Sequence, residues 1–286
     1  MKQFIDYSMN ILQSGITLNL KKKILNYFMS TLHLFGDSFT QGHKIDGTYE
    51  NYKLWKEWRG GNLPKTWAEL LSEKMEMECN VNAIGGIGND EIFQIICENC
   101  RSFQKNDIII INWSFMNRFR WPNSDNEDFL RWIRMGIQKY DHLTNHISET
   151  TQMEIALKRS QHPLFTEEIY NYEKIIDTLC EHIGCYVYYW SMDNNVINSL
   201  PNFKLKQTKY ICNEYVGNHI LPNGEPNLGD YFTLFSEIYR RGGKNISQET
   251  NGLINDNHLG ESGHKIQFEM FYEYLSNVQT INNKII

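Results

Sequence analysis

Short apolar runs recur along the chain, and their spacing predicts a set of buried strands. The clearest run is 107–112, where four consecutive isoleucines stand between polar residues. A continuous β-branched run of this kind is typical of a parallel strand that is buried on both faces. Similar runs predict three further strands, at 31–35, 80–84 and 185–191.

Amphipathic segments lie between these runs. At 67–75 the apolar residues recur at helical spacing, so that they form one face of a helix. Comparable segments predict helices at 90–101, 166–182 and 261–275. Strands separated by helices in this order predict βαβ units and a three-layer α/β/α sandwich with a mostly parallel central sheet.

Three segments fall outside this alternation. Residues 1–30 form an N-terminal extension, which we interpret either as an extra helix packed on the domain or as a docking arm for a protein partner. Residues 31–280 are predicted to form one domain, with insertions at about 118–165 and 192–250. Long loops between core elements are often functional, and in α/β sheets they frame a site at the carboxyl ends of the strands.

Composition and charge exclude several classes of protein. The net charge of −6 argues against nucleic-acid binding as the main function. No stretch approaches the roughly 18 apolar residues of a membrane-spanning helix. The N-terminus lacks the pattern of a signal peptide, which favours the cytoplasm, although a virion component or a protein exported by another route would look the same.

The six cysteines are too scattered for a disulfide framework in a chain of this length. Cys97 and Cys100 have C-x-x-C spacing, but no second pair accompanies them. One interpretation of this spacing is metal or redox chemistry. The interpretation that we favour is that the two cysteines are buried helical thiols in a reducing compartment.

The first candidate for chemistry is Ser38, which follows the strand 31–35. Gly36 permits a tight turn there, so the hydroxyl can be presented at the carboxyl edge of the sheet. A serine is a weak nucleophile alone and needs a base within hydrogen-bond reach.

The glycines at 85–88 leave backbone N–H groups that can donate to an oxyanion. Asn89 is expected to cap the helix that follows. A nucleotide-binding domain of the flavodoxin type is a further reading of this cluster. The third glycine of a dinucleotide fingerprint is missing, however, because position 91 is glutamate.

Two later segments add polar side chains near strand ends. Asn112, Ser114 and Arg118 follow the strongest strand, where they form either an oxyanion donor site or a capped helix start with a surface arginine. Asp256 stands two residues before His258, so in an extended segment its carboxylate can orient the imidazole. His264 is expected to pack or cap.

In their order these segments resemble the SGNH/GDSL hydrolase family, over about 31–122 and 250–276. Gly36-Asp37-Ser38 is similar to the family's first block, Gly86 to the second, and His258 to the last. The third block normally carries Gly-x-Asn-Asp, whereas this chain has Asn112-Trp113-Ser114. Three residues before His258 stands Asn255 rather than aspartate, so a Ser–His dyad is an alternative to a triad with Asp256.

The resemblance implies a serine esterase that needs no metal and no organic cofactor. Ser38 is then the nucleophile, His258 the base, and Asp256 the residue that orients it. The oxyanion is bound by the N–H groups of Ser38 and Gly86, with Ser114 or Asn112 as a third donor.

The polar and aromatic loops favour a short-chain acyl ester as substrate, such as an O-acetyl group on a glycan or another small molecule. The alternative is a non-catalytic SGNH-like module that binds a glycan or builds an assembly, for example in a virion. The two irregular blocks and the N-terminal extension motivate this alternative.

Overall fold

A computed structural model describes residues 30–42, 50–115, 118–122, 132–135, 163–191, 209–211 and 234–285. The predicted N-terminal extension therefore lies outside the described residues except for its last position, as do most of the two predicted insertions. In chain order the elements are β1 (Thr31–Gly36), α1 (Ser38–Gln41), α2 (Glu50–Trp58), α3 (Trp67–Met75), β2 (Glu78–Ala83), α4 (Asn89–Asn99), β3 (Ile108–Trp113), β4 (Phe119–Pro122), β5 (Trp132–Met135), α5 (Pro163–Ile183), β6 (Tyr186–Ser191), α6 (Leu234–Arg240), α7 (Ile246–Glu249) and α8 (Glu261–Ile285).

Four strands form one parallel sheet in the order β2–β1–β3–β6. In the register of the two central strands, Leu34 of β1 pairs with Ile110 of β3. On its other side Leu34 pairs with Val81 of β2, and Ile110 pairs with Tyr188 of β6. All four strands point the same way, so their carboxyl ends lie at one edge of the sheet. The predicted α/β class with a parallel sheet is confirmed.

Helices cover both faces of the sheet. On one face α3, α6 and α8 pack against the sheet, and Ile108 and Ile110 of β3 belong to that core. On the other face α4 and α5 pack against the sheet, and Ile109 and Ile111 point into that core. Successive side chains of a strand point to opposite faces. A strand covered on both sides therefore needs an unbroken apolar run, which is the pattern that predicted β3.

Helix α3 begins and ends where the pattern predicts. Thr66 caps it, because its hydroxyl accepts from Glu69 N while the Glu69 carboxylate accepts from Thr66 N. This reciprocal pair satisfies two backbone groups that a helix start otherwise leaves unbonded. Helix α8 extends to Ile285, ten residues past the predicted end.

Several elements were not predicted from the sequence. Helix α2 buries Tyr52 and Trp55 against Ile246 of α7 and the nearby Ile254. Strands β4 and β5 form an antiparallel pair within the first predicted insertion. Helices α6 and α7 fall within the second. In the described part of the chain, no helix has both the length and the apolar character that crossing a membrane requires.

Candidate active site

Ser38 is the first residue of α1, directly beyond the carboxyl end of β1. Asp37 caps α1, because its carboxylate accepts from Phe39 N at 3.1 Å. The turn before it is tight. A Cβ on Gly36 would lie 2.5 Å from Thr40 Oγ1 and 2.7 Å from Asn112 Cβ. The strand-to-helix turn that presents Ser38 therefore depends on glycine at position 36.

Replacing Gly36 with alanine should lower the free energy of unfolding by about 2 kcal/mol, because the added methyl group overpacks the turn. Gly85→Ala is the matched control, since its Cβ would meet its nearest neighbours at 3.4 Å and 3.7 Å, ordinary contact distances. Urea unfolding of both variants measures the difference. Equal stability of the two variants would contradict the close approach at Gly36.

The carboxylate of Asp37 is fully buried and is bound by three side chains at the end of β3 or just after it. It accepts from Asn112 Nδ2 at 2.8 Å, from Ser114 Oγ at 2.9 Å and from Arg118 Nη1 at 2.8 Å. The Arg118 side chain is only 14% exposed. A buried charge of this kind requires an opposite charge and full hydrogen bonding. The cluster thereby ties the end of β1 to the end of β3.

This cluster employs both side chains that were expected to supply a third oxyanion donor. The single hydroxyl hydrogen of Ser114 is donated to Asp37, and the Asn112 side chain donates to the same carboxylate from a fully buried position. As placed here, neither side chain is presented to a substrate. Their role in an oxyanion hole stays a prediction. Arg118 is not the surface arginine of the alternative reading, because it is paired with a buried acid.

The glycine loop after β2 lies against Ser38. A Cβ on Gly85 would be 3.7 Å from Ser38 Cβ, and Gly86 has a φ of +78°, which favours glycine. Among the described residues, no backbone carbonyl accepts the N–H of Ser38 or Gly86. Two such N–H groups on adjacent segments are suitable donors for an oxyanion.

Asn89 does not cap α4, and that prediction was wrong. Gly88 occupies the cap position, while the buried Asn89 amide bonds the backbone of Ser114. Asn89 Nδ2 donates to Ser114 O at 3.1 Å, and Ser114 N donates to Asn89 Oδ1 at 2.6 Å. The loop also touches Arg118, since a Cβ on Gly88 would lie 2.5 Å from Arg118 O. The amide is used to join two strand ends rather than to cap a helix.

The expected contact between Asp256 and His258 is present. His258 Nδ1 lies 2.7 Å from Asp256 Oδ1, and the same oxygen accepts from His258 N at 2.8 Å. Burial opposes ionisation of Asp256, but the hydrogen bonds and charge of His258 outweigh it and lower the pKa of the carboxyl. An ionised Asp256 places the ring proton on Nδ1 and leaves the Nε2 lone pair as the basic site.

His258 contacts two aromatic rings, one of which belongs to the residue next to Ser38. Its ring centroid lies 4.9 Å from that of Phe39, the residue after Ser38, and 5.7 Å from that of Tyr52. Ser38 Oγ and His258 Nε2 are not hydrogen-bonded to each other in this structure. Such a bond is often formed only in the complex with substrate. Tyr52 carries no sequence signal, because the contact joins residues on elements far apart in the chain.

His264 packs and caps, as predicted. It is buried, and its Nδ1 accepts from Trp67 N at 3.3 Å at the start of α3. The ring thus supports the first residue of α3. The indole of that residue, Trp67, donates a hydrogen bond from Nε1 to Phe39 O at 3.1 Å. His264 is therefore a structural histidine that braces the segment after Ser38.

A second buried acid lies in the core formed with α5. Glu173 is fully buried and accepts from Trp113 Nε1 at 3.0 Å and from the Tyr210 hydroxyl. Burial, with the nearby carboxylates, raises the pKa of the Tyr189 and Tyr210 hydroxyls well above the ordinary value, so both stay protonated donors. The cluster fastens residues 209–211 to the sheet edge beside β6.

The cysteine pair shows no feature of a reactive site. Cys97 is exposed rather than buried, contrary to the expectation, and Cys100 Sγ donates to Cys97 O at 3.0 Å. Desolvation of the thiol raises the pKa of Cys97, and the charges of Cys100 and Glu98 raise it further, which disfavours a reactive thiolate. The described residues contain no group of three or more His, Cys, Asp or Glu side chains able to hold a metal ion.

No family model matches this chain, and neither a curated protein nor a solved structure does. The resemblance to the SGNH/GDSL hydrolases therefore stays a prediction from short motifs. What the structure shows is an α/β fold with Ser38 at a strand-to-helix turn, a glycine loop against it, and an acid-oriented histidine packed on the next residue.

Proposed function

We propose that this protein is a serine esterase with Ser38 as nucleophile and His258 as base. One observation carries the proposal: the imidazole that Asp256 orients is packed against Phe39, the residue next to Ser38. Serine hydrolysis needs a serine, a histidine that can accept its proton and an acid that fixes the histidine tautomer. Ser38, His258 and Asp256 are the residues that we assign to these roles.

The geometry supports a sequence of steps of the serine-triad type. Ser38 Oγ attacks the ester carbonyl while its proton passes to His258 Nε2. The N–H groups of Ser38 and Gly86 bind the resulting oxyanion. His258 then protonates the departing alcohol, and water releases the acyl group by the same route. The lowered pKa of Asp256 keeps its carboxylate ionised, so that it stabilises the imidazolium formed in each half of the reaction.

Aromatic side chains around the site support a short acyl ester on a carbohydrate. The rings of Phe39 and Phe115 lie 6.3 Å apart, both side chains are partly exposed, and Tyr52 completes the cluster beside His258. Aromatic faces suit the flat apolar faces of sugar rings, and a small acyl group needs no long apolar channel. The proposed substrate is therefore an O-acetylated glycan or a small acetyl ester.

A fluorophosphonate probe tests the nucleophile directly. The folded protein should be labelled at Ser38, because only an activated serine reacts at a useful rate. Peptide mapping by mass spectrometry identifies the modified residue. Ser102→Ala should be labelled like the wild type, since Ser102 is an exposed serine bonded to Asn99 O. Labelling of the urea-unfolded protein to the same extent, or labelling at another residue, would count against the proposal.

One observation favours a second candidate, a non-catalytic module that binds a glycan or builds an assembly. The side-chain donors of Asn112 and Ser114 are both engaged by Asp37, which leaves two backbone N–H groups as the proposed oxyanion hole. A folded protein that neither reacts with the fluorophosphonate nor hydrolyses p-nitrophenyl acetate or acetylated oligosaccharides, yet binds the oligosaccharides, would favour this candidate.

A further inference from the structure

The oxyanion hole proposed above has two backbone donors, and the usual gain from one further donor is about 10²- to 10³-fold in rate. Asn112 and Ser114 are committed to Asp37. A residue that supplies a third donor has to lie close to Ser38 and to the glycine loop, and its N–H groups must not all be used by its neighbours.

Arg118 meets the condition on donors. Its Nη1 donates to Asp37 Oδ2 at 2.8 Å and to Ser114 Oγ at 3.1 Å, and the side-chain hydrogen bonds that the described residues make with it involve Nη1 alone. A guanidinium carries five N–H donors, so the groups on Nε and Nη2 make no side-chain hydrogen bond with the part of the chain that the structure describes. The guanidinium carbon lies 4.7 Å from the centroid of the Phe115 ring, which restricts its orientation.

Arg118 also meets the condition on position. Its carbonyl oxygen is 2.5 Å from where a Cβ on Gly88 would stand, and Ser38 Cβ is 3.7 Å from where a Cβ on Gly85 would stand. The loop that carries the Gly86 N–H thus contacts the backbone of Arg118 at one end and Ser38 at the other. The guanidinium itself lies beside Asp37, the residue before Ser38. The Arg118 side chain is 14% exposed, so part of it faces solvent.

We propose that Arg118 is a catalytic residue whose guanidinium donates a hydrogen bond to the oxyanion; the proposal rests on the esterase function proposed above. As Ser38 Oγ bonds to the carbonyl carbon, its proton passes to His258 and the π electron pair moves onto the carbonyl oxygen. Arg118 and the two backbone N–H groups bind that oxygen. When the pair returns, the bond to the leaving oxygen breaks, and that oxygen takes the proton from His258.

The pairing with Asp37 positions the guanidinium for this role. The buried carboxylate holds Nη1, and the Phe115 ring supports one face. A donor that is already oriented needs no reorganisation when charge develops on the substrate, which is the condition under which such donors accelerate a reaction. An arginine suits this role better than a lysine, since one arm of its fork can serve Asp37 while the other donates to the oxyanion.

Arg118→Lys separates the two roles. The single ammonium nitrogen of lysine can keep the ion pair with Asp37 but has no second arm for the oxyanion. The kcat for p-nitrophenyl acetate should fall about 100-fold, while KM changes by less than roughly threefold and the urea midpoint is retained. Arg59→Lys is the matched control, because Arg59 pairs with Glu261 at 2.6 Å, and it should leave kcat unchanged.

Wild-type kcat in Arg118→Lys, in a protein whose hydrolysis still depends on Ser38, would overturn the role of Arg118 and leave the esterase function standing. A wild-type protein with no Ser38-dependent hydrolysis would overturn both. If Arg118→Lys lowers the urea midpoint as well as kcat, Arg118→Ala with added guanidinium chloride decides. Recovery of kcat at guanidinium concentrations that leave the midpoint unchanged supports the proposal, and absence of recovery overturns it.

Discussion

Replacing Ser38 with alanine should lower the kcat for p-nitrophenyl acetate by on the order of 10⁵-fold or more, because the attacking oxygen is removed. The substitution should not disturb the fold. Ser38 is the first residue of α1, Asp37 still caps the helix, and alanine fills nearly the same volume. Initial rates, corrected for spontaneous hydrolysis, and far-UV circular dichroism of the same samples measure the two effects.

Ser102→Ala is the matched control for this variant. It removes a hydroxyl that bonds Asn99 O in an exposed turn, and it should keep wild-type activity. The nucleophile assignment fails if Ser38→Ala hydrolyses the ester at more than about a tenth of the wild-type rate, since residual binding and backbone donors alone do not sustain such a rate.

Replacing Asp256 with asparagine should lower kcat by about 10⁴-fold, because an amide facing His258 Nδ1 no longer selects the productive tautomer. The substitution preserves shape, so KM should change little. The carboxylate is almost fully buried and bonds both the ring and the backbone N–H of His258. Steady-state kinetics beside Glu57→Gln, which changes an exposed carboxylate of α2, measures the effect.

The same variant has a defined dependence of stability on pH. The folded pKa of Asp256 is lowered, so the ionised carboxylate stabilises the folded state above its unfolded pKa of about 3.9. That contribution is lost as the pH falls through the lower folded pKa. Asp256→Asn should therefore be less stable than the wild type at pH 7 and approach the stability of the wild type near pH 2.

The kinetic measurement on Asp256→Asn has an outcome that contradicts the triad. A kcat within tenfold of the wild-type value would indicate a Ser–His dyad.

The layered fold was predictable because the spacing of apolar residues shows which faces of a strand or helix are buried, whichever element packs against them. The four isoleucines of β3 point alternately to the two faces of the sheet, and each face is covered by a layer of helices, so all four have to be apolar. Helix α3 carries its own start signal in Thr66 and Glu69. In contrast, α2 has a short and mostly polar sequence, and its place is decided by burial of Tyr52 and Trp55 against residues near the other end of the chain.

Part of the candidate site was also predictable. Ser38 follows a strand, and Asp256 and His258 stand two residues apart, so sequence neighbours suffice to suggest both. The partners of Asp37 did not follow from spacing. The sequence shows only that polar residues stand at and after the end of a strand, namely Asn112, Ser114 and Arg118. The register of β1 beside β3 is what brings their donors to that carboxylate.

By itself, the sequence determined the alternation of strands and helices, the parallel sheet, and the residue types available at its carboxyl edge, because each depends on local periodicity and turn chemistry. The tertiary structure alone decided which of these side chains meet. It assigned Asn89 to the backbone of Ser114, Tyr52 to His258, and Arg118 to Asp37. Those contacts depend on where separate elements pack, and no spacing along the chain encodes a distance across the sheet.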